Sequence, residues 1–97
     1  MATRPPQLAL DAKFGALSDP TRRALVERLS RGESSVKDLA RPIPRCLPTV
    51  LKHLAILERG GIIRSEKRAR VRTYRMAPNA FTEMERWVAG RKETWGA

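Results

Sequence analysis

Apolar positions recur at helical spacing along most of this chain, and one stretch switches to the alternation of a strand. Leu10, Phe14 and Leu17 fall at i, i+4 and i+7, one face of a first helix over residues 7–17. Ser18-Asp19-Pro20 then restarts the chain. Either Ser18 or Asp19 suits the cap, Pro20 suits the first helical position, and Ala24, Leu25, Val26 and Leu29 supply the buried stripe of a second helix ending near Gly32. A short third helix begins at Ser34 or Ser35, which read as caps and not as nucleophiles. It turns Val36, Leu39 and Ala40 inward and must stop before Pro42 and Pro44. A fourth helix runs from about Leu47 to Arg59, with Cys46 near its N-cap, Pro48 in its first turn and Gly60-Gly61 as its stop.

On a wheel of about 100° per residue, Leu47, Val50, Leu54 and Leu57 of the fourth helix share one arc, with Pro48, Thr49 and Lys52 roughly opposite. Leu51 falls at the rim of the arc, open to packing or to exposure. Next come two strands, Ile62-Ile63-Arg64 and Val71 to Met76, joined by the charged tip Glu66 to Arg70. With a period of two, Tyr74 and Met76 face the core while Thr73 and Arg75 face out. Ala77-Pro78-Asn79 opens a fifth helix in which Phe81, Met84 and Val88 repeat at i, i+3 and i+7, with Trp87 and Trp95 alongside.

The order helix, helix, short helix, Pro-containing turn, helix and hairpin predicts a mainly α fold with a small β-hairpin. That is a winged helix-turn-helix of about five helices and a two-stranded wing. All 97 residues form one domain, with an arm over 1–6, the helix-turn-helix over 34–59 and the wing over 62–76. Charge sharpens the picture. Between Arg41 and Arg75 lie ten Lys and Arg residues against Glu58 and Glu66, which is eight of the chain's net +10. Charge gathered on one supersecondary unit marks a polyanion partner, since each neutralised phosphate releases condensed counterions.

The residue types on the presented side suit double-stranded DNA. Thr49 can meet a phosphate, a base edge or a thymine methyl, Lys52 a guanine or a phosphate, and Arg45 a phosphate ahead of the helix; Pro48 lies on the same face. Arg64, Lys67, Arg68, Arg70 and Arg72 of the hairpin supply mostly sequence-blind affinity. His53 has no second His, no Cys and no evident carboxylate beside it, so helix packing or a phosphate contact suits it better than metal binding or catalysis. No nucleophile, acid/base pair or phosphate loop can be assembled, which argues against an enzyme. No apolar run is long enough for a bilayer and the N-terminus lacks a signal-peptide core, so a soluble cytoplasmic protein without a membrane partner is expected. The single Cys46 excludes an internal disulfide framework; as a redox switch it would draw on the helix N-terminus and Arg45, both of which favour thiolate.

Leu17-Ser18-Asp19-Pro20-Thr21-Arg22, then Ser35 to Ala40, then the run from Leu47 to Ile63, and finally Arg72 to Met76 together resemble the ArsR family of bacterial winged-helix repressors, over about residues 10 to 90. The resemblance implies a homodimer built from the first and last helices, residues 7–17 and 78–95, that binds a palindromic operator and represses transcription. It puts Leu10, Phe14, Leu17, Phe81, Met84, Trp87 and Val88 at the dimer interface. Metal sensors of that family carry cysteines in the third helix, or His and carboxylates on the last. Here the third helix has no Cys and the last no His, and Glu83, Glu85 and Glu93 alone suit zinc poorly. No metal and no cofactor are therefore expected, and the likeness is to non-metal members whose inducer, a small molecule where one exists, often remains unidentified. Two positions depart from the family: Leu51 stands where a polar residue is common, and Ala69 where a glycine often forms the wing tip. Two other readings stay open at the level of sequence, a winged-helix module that grips nucleic acid without sequence preference and a protein-interaction domain reusing the fold.

Overall fold

A computed structural model describes residues 6–95. Helix α1 (Pro6–Ala16) is followed by α2 (Pro20–Leu29), strand β1 (Ser34–Ser35), α3 (Val36–Ala40), α4 (Leu47–Arg59), β2 (Ile63–Arg68), β3 (Val71–Met76) and α5 (Thr82–Thr94). Residues 1–5 of the expected arm lie outside the described residues, and Pro6 already opens α1. The five helices and the wing expected from the pattern are present, so the fold is mainly helical with a small antiparallel sheet.

The sheet holds one strand more than expected, in the order β1-β3-β2. Ser34 pairs with Tyr74 and Ser35 with Thr73. A two-residue strand has no period to read, which is why both serines looked like caps alone. Ser35 does cap α3, its Oγ accepting the Asp38 N–H at 3.2 Å. Ser34 is instead buried at the sheet edge. The cap of α2 is Asp19, whose Oδ2 accepts the Arg22 N–H at 3.0 Å.

The wing is longer than its apolar residues imply. β2 continues through Glu66, Lys67 and Arg68, which pair with Thr73, Arg72 and Val71, so only Ala69 and Arg70 form the tip. Charged side chains are solvated on both faces of an exposed ribbon, and they leave the ladder intact without leaving an apolar period. Ala69 carries the positive φ of +56° that the turn requires. The last helix is shorter than expected: Pro78 to Phe81 form a turn in which Asn79 takes φ +56°, and α5 starts only at Thr82.

Leu25, Leu39, Val50, Leu54, Leu57, Ile62, Ile63 and Tyr74 form the centre of the core, with Leu29 and Met84 at its sides. Ala24, expected on the buried stripe of α2, is exposed. The exit of α4 is a Schellman motif: the Gly61 N–H bonds the Glu58 carbonyl and the Ile62 N–H the Leu57 carbonyl, each at 3.0 Å. Gly61 holds φ +74°, a conformation that side chains resist. A Cβ on Gly60 would lie 3.2 Å from the Ala12 carbonyl oxygen, so this residue lets α1 cross the end of α4 closely, and Lys13 Nζ donates to the Gly60 carbonyl there at 3.0 Å.

Candidate nucleic-acid interface

The presented side of α4 follows from how its other side is held. Val50, Leu54 and Leu57 are fully buried, so the helix cannot roll without exposing them. That turns Pro48 and Lys52 outward, with Thr49 half-buried on the flank. Leu51 is also outward, 40% exposed. Leu47, expected on the packed arc, is 48% exposed at the first position of α4, one turn before the fully buried Val50. It instead borders a groove with Val36, Ala40, Lys37, Arg41 and Arg45. Arg45 is exposed as expected, and Arg41 pairs with Asp38 at 2.9 Å.

At the start of α4 the Cys46 Sγ lies 3.1 Å from Thr49 Oγ1. This hydrogen bond, followed by the Thr49 backbone N–H, pulls the exposed thiol below its ordinary pKa. The same contact restrains the rotamer of Thr49.

Arg64, Lys67, Arg68, Arg70, Arg72 and Arg75 are all exposed on the wing. The register sets Arg64 directly opposite Arg75 and Lys67 opposite Arg72. Like charges directly opposed in a ladder are destabilising, so each of these pairs works against the ribbon's own stability. Its cations are not equally available. The Glu66 carboxylate takes the Arg68 guanidinium at 3.1 Å and that of Arg75 at 3.3 Å, and the pairing, chiefly with Arg68, holds the carboxyl below its usual pKa. Arg68 therefore starts from an internal partner, which the linear sequence did not reveal. Arg72 donates to Ser65 Oγ at 2.9 Å, and Ser65 donates to Glu58 Oε2 at 2.8 Å, a chain that ties the wing to the end of α4. Among the described residues Arg64, Lys67 and Arg70 make no ion pair.

This geometry agrees with what similar proteins show. Residues 17–66 match a family described as a helix-turn-helix domain. The HTH-type transcriptional regulator Rv2034 of Mycobacterium tuberculosis is 35% identical over 74 residues, 76% of this chain and 69% of that protein. A crystal structure of an ArsR family transcriptional regulator is 45% identical and superimposes with a TM-score of 0.88, covering 92% of this chain and 98% of that one. The chain belongs to the ArsR family of transcriptional regulators. The transcriptional repressor SdpR of Bacillus subtilis is 27% identical over 75 residues, 77% of this chain and 83% of that protein. The family consists of DNA-binding regulators and not of enzymes.

Two further features of this ArsR-family chain bear on the expected site. His53 does have polar company: Arg22 Nη1 lies 3.0 Å from its Nδ1 and Asp19 Oδ2 4.0 Å away, both from the start of α2. The ring is 17% exposed, so it packs against α2 more than it faces outward. The contact spans 31 positions and has no local sequence signal. The backbone N–H of Arg22, and next to it the His53 ring, hold the Asp19 carboxyl below its ordinary pKa. The second feature is an apolar face on α1 and α5. Phe14 and Trp87 meet edge to face at 5.8 Å, Arg91 lies 5.0 Å over the Trp87 ring, and Phe14, Trp87 and Val88 remain exposed. Leu10, Leu17 and Phe81 are half-buried against the core, whereas Met84 is 5% exposed and already covered by its own chain. Among the described residues, no three His, Cys, Asp or Glu side chains gather closely enough to hold a metal ion, and no helix is long and apolar enough to cross a membrane.

Proposed function

We propose that this chain acts as a homodimeric, metal-independent transcriptional repressor that binds a palindromic operator. The observation that carries the reading is the placement of Pro48 and Lys52 outward, with Thr49 on their flank, on a helix locked from behind, beside a wing that opposes cation to cation. In this reading α4 enters the major groove, Thr49 and Lys52 meet base edges or phosphates, Arg45 meets the backbone ahead of the helix, and Arg64, Lys67, Arg70 and Arg72 neutralise flanking phosphates. The apolar face of Phe14, Trp87 and Val88 supports dimerisation, with Leu10, Leu17 and Phe81 at its margin. Metal independence is supported by the cysteine-free α3 and by the absence of a ligand cluster among the described residues. Any inducer is then a small molecule.

The test is binding to the DNA upstream of the protein's own gene against a shuffled competitor at about 150 mM salt, with and without chelator and reductant. Selective binding that ignores chelator is expected, with a preference of about 10³ or more over random duplex. Equal, steeply salt-dependent binding to both DNAs would replace this reading with a general nucleic-acid binder. Affinity for neither would leave a protein-interaction domain.

A further inference from the structure

The guanidinium of Arg22 sits where three helices meet. Its Nε donates to the Ala16 carbonyl at 2.8 Å and its Nη2 to the Gly15 carbonyl at 3.3 Å, at the end of α1. Its Nη1 is 3.0 Å from His53 Nδ1 in the middle of α4. A guanidinium can only donate, so Nδ1 is the acceptor in this contact. Asp19, at the cap of α2, holds the Arg22 backbone and lies 4.0 Å from the same ring. One side chain thus clasps α1 and α4 together from the first turn of α2.

We propose that Arg22 is a positioning residue for operator recognition: through His53 it fixes the rotation of α4 relative to α1, and so sets the half-site spacing that the dimer accepts. The inference rests on the dimeric operator-binding reading above. Burial of Val50, Leu54 and Leu57 keeps α4 from rolling off the core, but apolar burial is not directional and does not by itself fix the helix's finer setting. A hydrogen bond to a ring nitrogen is directional. His53 lies one helical turn from Thr49, on the same flank, so a constraint on the ring is a constraint on the threonine. α1 carries Phe14 of the dimer-forming face, so a tie from α1 to α4 passes the geometry of the dimer to both reading helices. Those helices meet half-sites about 34 Å apart, and one added base pair moves a half-site by about 3.4 Å and turns it by about 35°.

The experiment measures the full chain's affinity for its operator and for the same operator with one base pair inserted between the half-sites. Wild type is compared with Arg22→Lys, His53→Leu and His53→Gln. Lysine keeps the charge but cannot span the α1 carbonyls and the ring, leucine removes the acceptor, and glutamine retains one. The ratio of the two affinities is the readout, because a variant that merely lowers the folded fraction weakens both DNAs alike. The ratio is expected to fall at least about threefold in Arg22→Lys and His53→Leu, to be restored in His53→Gln, and to fall no further in the Arg22→Lys/His53→Leu double variant. An unchanged ratio in Arg22→Lys and His53→Leu overturns the positioning role while leaving the operator reading intact. Should Arg22→Lys not fold, the contrast of His53→Leu with His53→Gln decides. A wild type that does not prefer its operator to shuffled DNA overturns the dimeric reading and this inference with it.

Discussion

Helix α4 and the wing both present cations to solvent, yet they are held in different ways. α4 is locked from behind by three fully buried side chains and from its flank by Arg22 on His53. β2 and β3 are held at their base by Ile63 and Tyr74, and beyond the Glu66–Thr73 pair their side chains are open to solvent, with Lys67 opposite Arg72. A side chain that reads a base edge must be placed within about 0.5 Å, whereas one that neutralises a phosphate acts through a long-range field. The molecule places rigidity where position matters and leaves charge where only proximity matters.

The largest test of this contrast is in the core. Leu54→Ala is expected to cost about 2–5 kcal/mol in denaturant unfolding, while Val71→Ala on the exposed wing stays within about 0.5 kcal/mol. Comparable losses would show that the wing is as tightly built as the helix. In DNA binding, Lys52→Ala or Thr49→Ala should cost about 1–3 kcal/mol on the operator and much less on random duplex. Equal losses on both would move Lys52 from reading to neutralising.

Gly61→Ala forces a side chain into φ +74° and is expected to destabilise the chain by about 1–2 kcal/mol in thermal unfolding, with the salt dependence of DNA binding unchanged. Arg64→Ala and Arg70→Ala should weaken all sequences alike and flatten the slope of log affinity against log salt by about 0.9 each. Arg68→Ala should flatten it less, and Glu66→Gln should steepen it, because Glu66 holds Arg68 and Arg75. A full unit of slope lost in Arg68→Ala would mean that DNA displaces Glu66 completely.

The smallest effect is in acid. Asp19 and Glu66 are held below their ordinary pKa in the folded chain. Their contribution is therefore fully present above the unfolded values of about 3.9 and 4.3 and is lost as pH falls through the depressed folded values. The melting temperature should drop in that window, less so in Asp19→Asn. Since Asp19 caps α2 beside His53 while Glu66 lies on the wing, the Asp19 variant should change the acid limb of stability and the Glu66 variant mainly the salt slope.

Local chemistry made much of this legible in the chain. Pro20 and Pro48 at helix starts, the Gly60-Gly61 stop and the apolar repeat of residues 50, 54 and 57 act within a turn or two, so spacing alone placed the start of α2 and both ends of α4, whereas α2 ends at Leu29, short of the Gly32 stop expected for it. The net charge of the segment from Arg41 to Arg75 pointed to a polyanion for the same reason, since composition survives folding. Other features depend on partners far away in sequence. Ser34–Ser35 became a strand only because β3 lies beside it, and Leu47 is exposed at the rim of a groove beside α3 and not packed into the core. His53 gained Arg22 and Asp19, and Arg68 and Arg75 lost their freedom to Glu66, through contacts that no helical or strand period encodes. The sequence by itself determined which segments are helices, where the capped and glycine-stopped ends of α4 lie, and where the charge gathers. Tertiary structure decided which of those charges are free and how the reading helix is turned, because pairing and rotation depend on through-space neighbours that only the folded chain brings together.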